Sequence, residues 1–346
     1  MEKFGYRFSF GPWNIHEGAD PFGPAVRLTR SFAEKLKVFQ ELGFDAVQFH
    51  DDDAVPELDS LTPTQIAGQA RDMRRKIEDC GLVAEFSAPR LWEHPNTIDG
   101  AFTSNDPKAR QYAIERAKKA ADIARELGCN LMVLWLAREG TYLREAKDSA
   151  RAANQILEAV NILLEYDPDL RIAIEPKPNE PMDMAYIPTI GHALTVAFQS
   201  VAPKRVGALV ESAHAILAGL DPSDEMGFAL GFDKLYGVHL NDQNGLKFDE
   251  DRSFGSIDLR RAFNQVRVLE SHGYNQKGMI GLDVKAMRTQ PLEIATKHLR
   301  NSLQTFLRLV LVVRSLDQAQ MNEMIAARDY EELDLFIINN LMGKPE

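Results

Sequence analysis

Residues 111–135, QYAIERAKKAADIARELGCNLMVLW, carry the pattern that decides the fold. Apolar side chains up to Cys129 recur three and four residues apart, which is typical of a helix packed along one face. Gly128 near the end of this segment favours a helix C-cap. The run LMVLW that follows is continuously apolar, as in a strand buried on both faces. A helix followed at once by a buried strand indicates one unit of a parallel α/β sheet.

The same alternation continues along the whole chain. The other apolar runs typical of strands are RFSFG (7–11), DAVQFH (45–50), AEFSA (84–88), RIAIE (171–175), VGALVE (206–211), YGVHLN (236–241) and MIGLDV (279–284). Eight such units predict a closed (β/α)₈ TIM barrel over residues 1–300. Residues 301–346 are helical without a strand and predict a short C-terminal extension. An open doubly wound sheet is the alternative, but no GxGxxG follows any of the strands.

Composition excludes several classes of partner. The chain has 346 residues, 45% of them hydrophobic and 26% charged, with a net charge of −11. This acidic balance argues against nucleic acid or an anionic membrane, since both are bound by lysine and arginine clusters. No apolar run approaches the roughly 18 residues of a membrane span. Cys80 and Cys129 form no CxxC pair, which favours free thiols in a reducing cytoplasm. A small molecule or a cation remains as the ligand.

Polar side chains stand where the strands end, and in such barrels the chemistry lies at the C-terminal ends of the strands. Four successive predicted strands finish on or near Glu175, Glu211, His239 and Asp283. Taken singly, each is more often a solvated loop residue or a hydrogen-bonded core histidine. Together at one barrel mouth they would repel one another and lose hydration without a cation. The set predicts a site for Mn²⁺, Co²⁺ or Mg²⁺.

A second group adjoins the first. Glu211 and His214 are three residues apart, and Asp249 and Asp251 alternate in the loop after the seventh strand. An acidic surface loop is the plain alternative for the two aspartates. If Glu211 bridges, however, these four side chains would hold a second cation a few ångströms from the first.

Several motifs resemble those of the D-xylose (glucose) isomerases, above all the shorter, actinobacterial-type class. They are FSFGPW, DPFG, FHDDD, LWEHP, REG, IEPKPNEP, LNDQNGLKFDEDRSFG and LDVK, in the family's order and approximate spacing over residues 7–300. The resemblance implies a (β/α)₈ barrel, two divalent cations and no organic cofactor. It also implies interconversion of aldoses and ketoses by a hydride shift, and a tetramer built from tight dimers.

The resemblance also implies roles for individual residues. Glu175, Glu211 and Asp283 match ligands of the first metal, and Glu211, His214, Asp249 and Asp251 match those of the second. Lys177 matches the lysine that hydrogen-bonds the substrate O1. His50 matches the histidine that assists ring opening, and Asp53 matches the carboxylate that orients its imidazole. Trp13 and Trp135 match apolar walls around the sugar, and Phe22 matches a residue inserted from a neighbouring subunit.

Three departures from the family bear on the substrate. His239 stands where the family has an aspartate ligand, which resembles L-rhamnose isomerases and the one-metal ketose epimerases. It favours Mn²⁺ or Co²⁺ over Mg²⁺. Ala88 and Pro89 replace a polar pair before the aromatic Trp92, which alters the contacts to the far end of the sugar. The C-terminal arm, residues 301–346, is shorter than the family's and is expected to be an oligomer contact.

The leading hypothesis from the sequence is therefore a two-metal isomerase of the D-xylose/D-glucose type. We expect it in the cytoplasm, as a homodimer or homotetramer acting on a monosaccharide. The alternatives are an isomerase of another aldose such as L-rhamnose, a one-metal ketose epimerase, and a metal- or sugar-binding barrel without turnover. For His239 the alternative is a core histidine beside a three-carboxylate site.

Overall fold

The computed structural model describes residues 2–343 and contains a closed barrel of eight parallel strands. The strands are β1 (Phe8–Phe10), β2 (Ala46–His50), β3 (Val83–Ala88), β4 (Leu131–Trp135), β5 (Arg171–Glu175), β6 (Val206–Glu211), β7 (Leu235–Leu240) and β8 (Ile280–Leu282). Each strand pairs with its neighbours in chain order, and β1 closes the ring by pairing with β8, with Phe8 opposite Ile280. The predicted (β/α)₈ TIM barrel is confirmed.

Helices follow the strands and cover the outside of the barrel. They are α1 (Phe32–Leu42), α2 (Pro63–Glu78), α3 (Pro107–Leu127), α4 (Ser149–Tyr166), α5 (Ile190–Gln199), α6 (Pro222–Gly231), α7 (Leu259–Ser271) and α8 (Lys297–Ser315). Helix α3 shows why they form where they do. Asp106 accepts a hydrogen bond from the Lys108 amide at its start, and Gly128 ends it with a φ of 87°.

Two further helices follow α8, namely α9 (Gln318–Ala327) and α10 (Tyr330–Met342), and two short helices, Asp51–Ala54 and Ser212–Leu217, directly follow β2 and β6. The predicted boundary at residue 300 falls inside α8. This helix packs on the barrel, since the Phe306 ring lies 5.5 Å from that of Phe8 and 5.0 Å from that of Tyr6. Residues 344–346 of the predicted extension lie outside the described residues. Within residues 2–343, no helix combines the length and the apolar character needed to cross a bilayer.

A buried histidine links the stability of this helix packing to pH. His298 is buried in α8 and donates from Nε2 to the Asn14 carbonyl oxygen at 2.9 Å. Burial lowers its pKa to about 4, against about 6.5 when unfolded. Between these two pH values the unfolded chain binds more protons than the folded chain. The free energy of unfolding therefore falls as the pH drops from about 6.5 to about 4, by up to about 3 kcal/mol.

We expect His298→Gln to lose this part of the pH dependence, as measured by urea unfolding at pH 7.5 and pH 5. The exposed His192 supplies the matched control, His192→Gln, which should keep the wild-type difference between the two pH values. An unchanged difference in His298→Gln would contradict the assignment to His298.

Candidate functional site

The carboxyl ends of the strands open on a cavity of about 340 Å³. Most of the residues singled out from the sequence line it: Trp13, His50, Trp92, Trp135, Glu175, Lys177, Glu211, His214, His239, Asp249, Asp251 and Asp283. Strand register explains the convergence. Glu175 ends β5 opposite Trp135, and Glu211 ends β6 opposite His239. The side chains near the ends of neighbouring strands therefore lie at the same level. Asp283 follows β8 directly.

Glu211 lies at the centre of the polar side chains. It belongs to three groups of side chains, and within each group the possible ligand atoms lie within 4.8 Å of one another. These groups are Glu175, Glu211 and His214; Glu211, His239 and Asp283; and Glu211, Asp249 and Asp251. The structure therefore brings the other six proposed ligands together around the Glu211 carboxylate.

The first part of this cluster surrounds His239. Its Nδ1 lies 3.3 Å from Glu175 Oε1, 3.5 Å from Glu211 Oε2 and 3.8 Å from Asp283 Oδ2. The side chain is 4% exposed. The imidazole therefore faces three carboxylates in a place shielded from water.

The second part surrounds His214 in the short helix Ser212–Leu217 after β6. Its Nε2 lies 3.1 Å from Asp249 Oδ2 and 3.3 Å from Glu211 Oε1. Asn241, which directly follows β7, ties the two parts together, because its amide donates to Glu211 Oε1 at 2.9 Å and to Asp251 Oδ1 at 3.2 Å.

Burial and crowding disturb the ionisation of these carboxyls. Burial and the neighbouring Asp249 raise the pKa of Glu211 well above its usual range. Burial and Asp249 also raise the pKa of Asp251 to about 8. Burial opposes the ionisation of Glu175 as well, but the adjacent His239 and His214 outweigh it and lower its pKa to about 2. Like charges held this closely are relieved by a cation.

Unpartnered buried atoms test whether a metal would fit. Both ring nitrogens of His239, His214 Nδ1 and Asp249 Oδ1 are buried without a hydrogen-bond partner among residues 2–343. Each unpaired buried polar group costs about 1–3 kcal/mol, and such atoms in a native structure call for an explanation. A divalent ion accepts the lone pairs of imidazole and carboxylate, and this mixed nitrogen and oxygen set suits first-row divalent metals. The cluster can hold a metal ion.

Two lysines contact the two aspartates of the second part of the cluster, one lysine at each aspartate. Lys177 Nζ is 2.9 Å from Asp249 Oδ2, and Lys285 Nζ contacts Asp251 Oδ2. Burial opposes the charge of Lys177, yet Asp249 raises its pKa above the usual range. Lys177 is therefore a charged donor in the cavity wall, 5.1 Å from the centre of the Trp135 ring. Lys285 was not singled out from the sequence, although its place two residues after Asp283 is a usable signal.

The run HDDD at residues 50–53 is neutralised by two arginines from other parts of the chain. Asp51 is buried and accepts from Arg116 Nε at 2.6 Å and Nη2 at 2.9 Å. Asp52 accepts from Arg90 Nε at 2.7 Å. Asp53 Oδ2 lies 2.9 Å from His50 Nδ1, behind the wall that His50 forms. Sequence reasoning missed Arg90, which also lines the cavity.

Tryptophans form the apolar part of the wall. The Trp13 ring lies 4.3 Å from that of His50, and its Nε1 donates to Asp283 Oδ1 at 3.0 Å. The Trp92 ring lies 5.0 Å from His50 and 4.5 Å from Trp135. These rings cover the imidazole on two sides and restrict the access of water to it.

Phe22, like Asp53, is a predicted site residue that does not line this cavity. Its side chain is 82% exposed, and its ring lies 5.9 Å from that of Phe248. Within a single chain it therefore contributes no wall to the site.

Comparisons with known proteins agree with this architecture. A family model described as "Xylose isomerase-like TIM barrel" matches residues 36–306. A xylose isomerase domain protein from Alicyclobacillus acidocaldarius subsp. acidocaldarius is 17% identical, with a TM-score of 0.63 over 89% of this chain and 99% of that one. A D-psicose 3-epimerase from Clostridium cellulolyticum H10, solved with D-tagatose, is 13% identical, with a TM-score of 0.59 over 89% and 99%. A protein from Sinorhizobium meliloti 1021 is 20% identical, with a TM-score of 0.63 over 87% and 98%. At these identities the solved structures share the fold.

Proposed function

The chain belongs to the family of xylose isomerase-like TIM barrels, and from this premise we propose that it is a two-cation aldose–ketose isomerase of the D-xylose/D-glucose type. One observation carries the proposal. The buried Lys177 projects into the same cavity as the carboxylate and histidine groups centred on Glu211. A charged donor beside side chains that can hold cations is what a reaction requires when negative charge develops on a sugar oxygen.

The carboxylate and imidazole side chains of the cavity would hold the cations. Glu175, Glu211, His239 and Asp283 would hold one cation, and Glu211, His214, Asp249 and Asp251 a second, Mn²⁺, Co²⁺ or Mg²⁺. Bound there, such cations supply Lewis-acid polarisation of sugar oxygens.

The other side chains of the cavity would act on the sugar directly. Lys177 donates to the oxygen on C1, and His50 contacts the cyclic form of the sugar. Trp13, Trp92 and Trp135 exclude water, which would otherwise exchange hydrogen with the substrate. In this arrangement hydrogen moves between C1 and C2 without passing to solvent.

An epimerase is the second candidate. A D-psicose 3-epimerase shares this fold. Epimerisation by proton transfer with one metal would use paired glutamates as acid and base. Glu175 and Glu211 beside His239 and Asp283 supply such a set. The placement of His214, Asp249 and Lys177 favours the isomerase, because a one-metal epimerase leaves these residues without a task. His239 supports an L-rhamnose-like isomerase as a variant of the first candidate.

An isotope experiment separates the two reactions. The enzyme is incubated with aldoses carrying deuterium at C2 and, separately, with ketoses carrying deuterium at C3, in the presence of Mn²⁺, Mg²⁺ or Co²⁺. A hydride-transferring isomerase delivers the aldose deuterium from C2 to C1 of the ketose. Epimerisation of the ketoses at C3 with loss of their label to water would instead support the epimerase, and binding without turnover of any sugar would contradict both.

The identity of the side chain at residue 239 should set the metal preference. Changing His239→Asp adds a carboxylate to the first group, and Mg²⁺ prefers oxygen ligands over imidazole. We expect the ratio of activity with Mg²⁺ to activity with Mn²⁺ to rise in His239→Asp. The same substitution at the exposed His272 is the control and should leave the ratio unchanged. If the ratio in His239→Asp equals that of the wild type, His239 is a core histidine and no ligand.

We also propose that the protein acts in the cytoplasm as a homodimer or homotetramer. Its two cysteines are free, as is typical of a reducing compartment. The exposed Phe22 supports a contact with a neighbouring subunit, and the helices α9 and α10 offer a second contact. Light scattering of the purified protein tests the assembly, and a monomer would contradict it.

A further inference from the structure

The Arg90 guanidinium reaches the cavity from the loop after β3 and is held there by carboxylates. Its Nε donates to Asp52 Oδ1 at 2.7 Å, and its backbone amide donates to Asp51 Oδ1 at 3.1 Å. Asp51 is in turn fixed by Arg116 through two hydrogen bonds. Because the Arg90 side chain is only 20% exposed, these partners determine where its remaining donors point.

Two groups of opposite hydrogen-bonding character contact the same ring nitrogen of His50. Arg90 Nη2 lies 2.7 Å from Nδ1, and Asp53 Oδ2 lies 2.9 Å from it. A guanidinium only donates, and an ionised carboxylate only accepts. Nδ1 of a neutral imidazole either carries a proton or offers a lone pair, so only one of the two contacts is a hydrogen bond at a time.

The surroundings of Asp53 decide which contact is the hydrogen bond. Asp53 Oδ2 also accepts from the His50 backbone amide at 3.2 Å, and Asp53 Oδ1 accepts from Arg90 Nη2 at 3.3 Å. Both carboxylate oxygens of Asp53 therefore accept hydrogen bonds from other donors, and neither requires a proton on His50 Nδ1. Nη2 carries two protons, one for Asp53 Oδ1 and one for His50 Nδ1. A proton on Nδ1 would instead face a guanidinium proton across 2.7 Å.

We propose that Arg90 fixes His50 in the neutral tautomer whose proton is on Nε2. Nδ1 lies on the side of Arg90 and Asp53, so Nε2 is the nitrogen left for the cavity that His50 lines. His50 then presents a hydrogen-bond donor to the substrate, which selects an acceptor such as the ring oxygen of a cyclic sugar. It offers no base for the proton of a sugar hydroxyl. Arg90 is a positioning residue, and only the identity of the substrate rests on the proposed function.

Histidine nitrogens report this tautomer directly. Protein labelled with ¹⁵N histidine and loaded with diamagnetic Mg²⁺ is studied by magic-angle-spinning NMR, and the His50 signals are assigned with His50→Gln. We expect a bare Nδ1 and a protonated Nε2 in the wild type. Arg90→Met should move the proton to Nδ1, facing Asp53. Asp53→Asn should leave the tautomer unchanged, because Arg90 is still present.

Arg138→Met is the matched control, since Arg138 donates to the Trp92 carbonyl oxygen at 2.9 Å and does not contact His50. It should give the wild-type spectrum. A proton on Nδ1 in the wild type, alone or together with one on Nε2, would overturn the proposal, as would an unchanged tautomer in Arg90→Met. If Arg90→Met does not fold, the wild-type and Asp53→Asn spectra decide. A wild type with the expected tautomer but no isomerase activity would refute the proposed function and leave the role of Arg90 standing.

Discussion

Glu211→Gln should lose both cations, so that the metal content of the purified protein falls from about two equivalents per chain to below one. Glu211 belongs to each of the three ligand groups, and no other side chain in the described part of the chain does. The change removes the shared charge and turns one ligand oxygen into an amide that cannot bind as an anion. We expect affinity to fall by more than the roughly 10- to 100-fold that loss of an outer-shell partner costs. Metal analysis after dialysis measures the effect.

Thermal unfolding separates loss of a ligand from loss of the fold. In EDTA, Glu211→Gln should be at least as stable as the wild type, because it removes one buried carboxylate from a group of like charges. Added Mn²⁺ should raise the melting temperature of the wild type but not that of the variant, since only a bound ion stabilises the folded state.

The cavity offers a matched control for Glu211→Gln. Glu93 lines the same cavity, its side chain is 63% exposed, and it belongs to none of the three groups. Glu93→Gln should keep two equivalents of metal. Two equivalents in Glu211→Gln would show that its carboxylate does not bridge. One retained equivalent would limit Glu211 to a single ion.

The sequence predicted the barrel well because its signals are local. In runs such as RIAIE and VGALVE, apolar residues lead up to a final glutamate. The strands end at these glutamates, Glu175 and Glu211, as the runs do. Once the strands are in order, parallel pairing brings their last residues to one edge. That is why the sequence alone predicts that the side chains of Glu175, Glu211, His239 and Asp283 lie together.

What the sequence did not predict depends on the paths of loops. The loop after β3 has no periodic pattern, so nothing local indicated that Arg90 would return to Asp52 and Asp53, nearly forty residues earlier in the chain. Helix α8 shows the same limit. A helical pattern without a following strand does not distinguish an outer barrel helix from an appendage, and only the packing of Phe306 on Phe8 assigns α8 to the barrel.

Lys177→Met should lower turnover by about 10² to 10³ or more while the metal content stays at the wild-type value. Such a loss is typical when a preorganised donor to developing negative charge is removed. Methionine keeps most of the length of the side chain but removes the charge and the donor. The variant also frees Asp249 of its ammonium partner, 2.9 Å away, so cation affinity at the second group should be unchanged or higher.

Lys177 could act through its positive charge alone or as a hydrogen-bond donor to the substrate. A comparison with Lys285 distinguishes these two roles. Lys285 contacts Asp251 much as Lys177 contacts Asp249, so Lys285→Met removes a comparable charge from the same cluster. If the lysines act only as counter-ions, the two variants should lose similar activity. If Lys177 donates to the substrate, Lys177→Met should lose far more, and Lys247→Met, at an exposed lysine 3.9 Å from Glu250 Oε1, should lose nothing. Turnover near the wild-type value in Lys177→Met would reduce Lys177 to the counter-ion of Asp249. The isomerase proposal would then lose the observation that carries it.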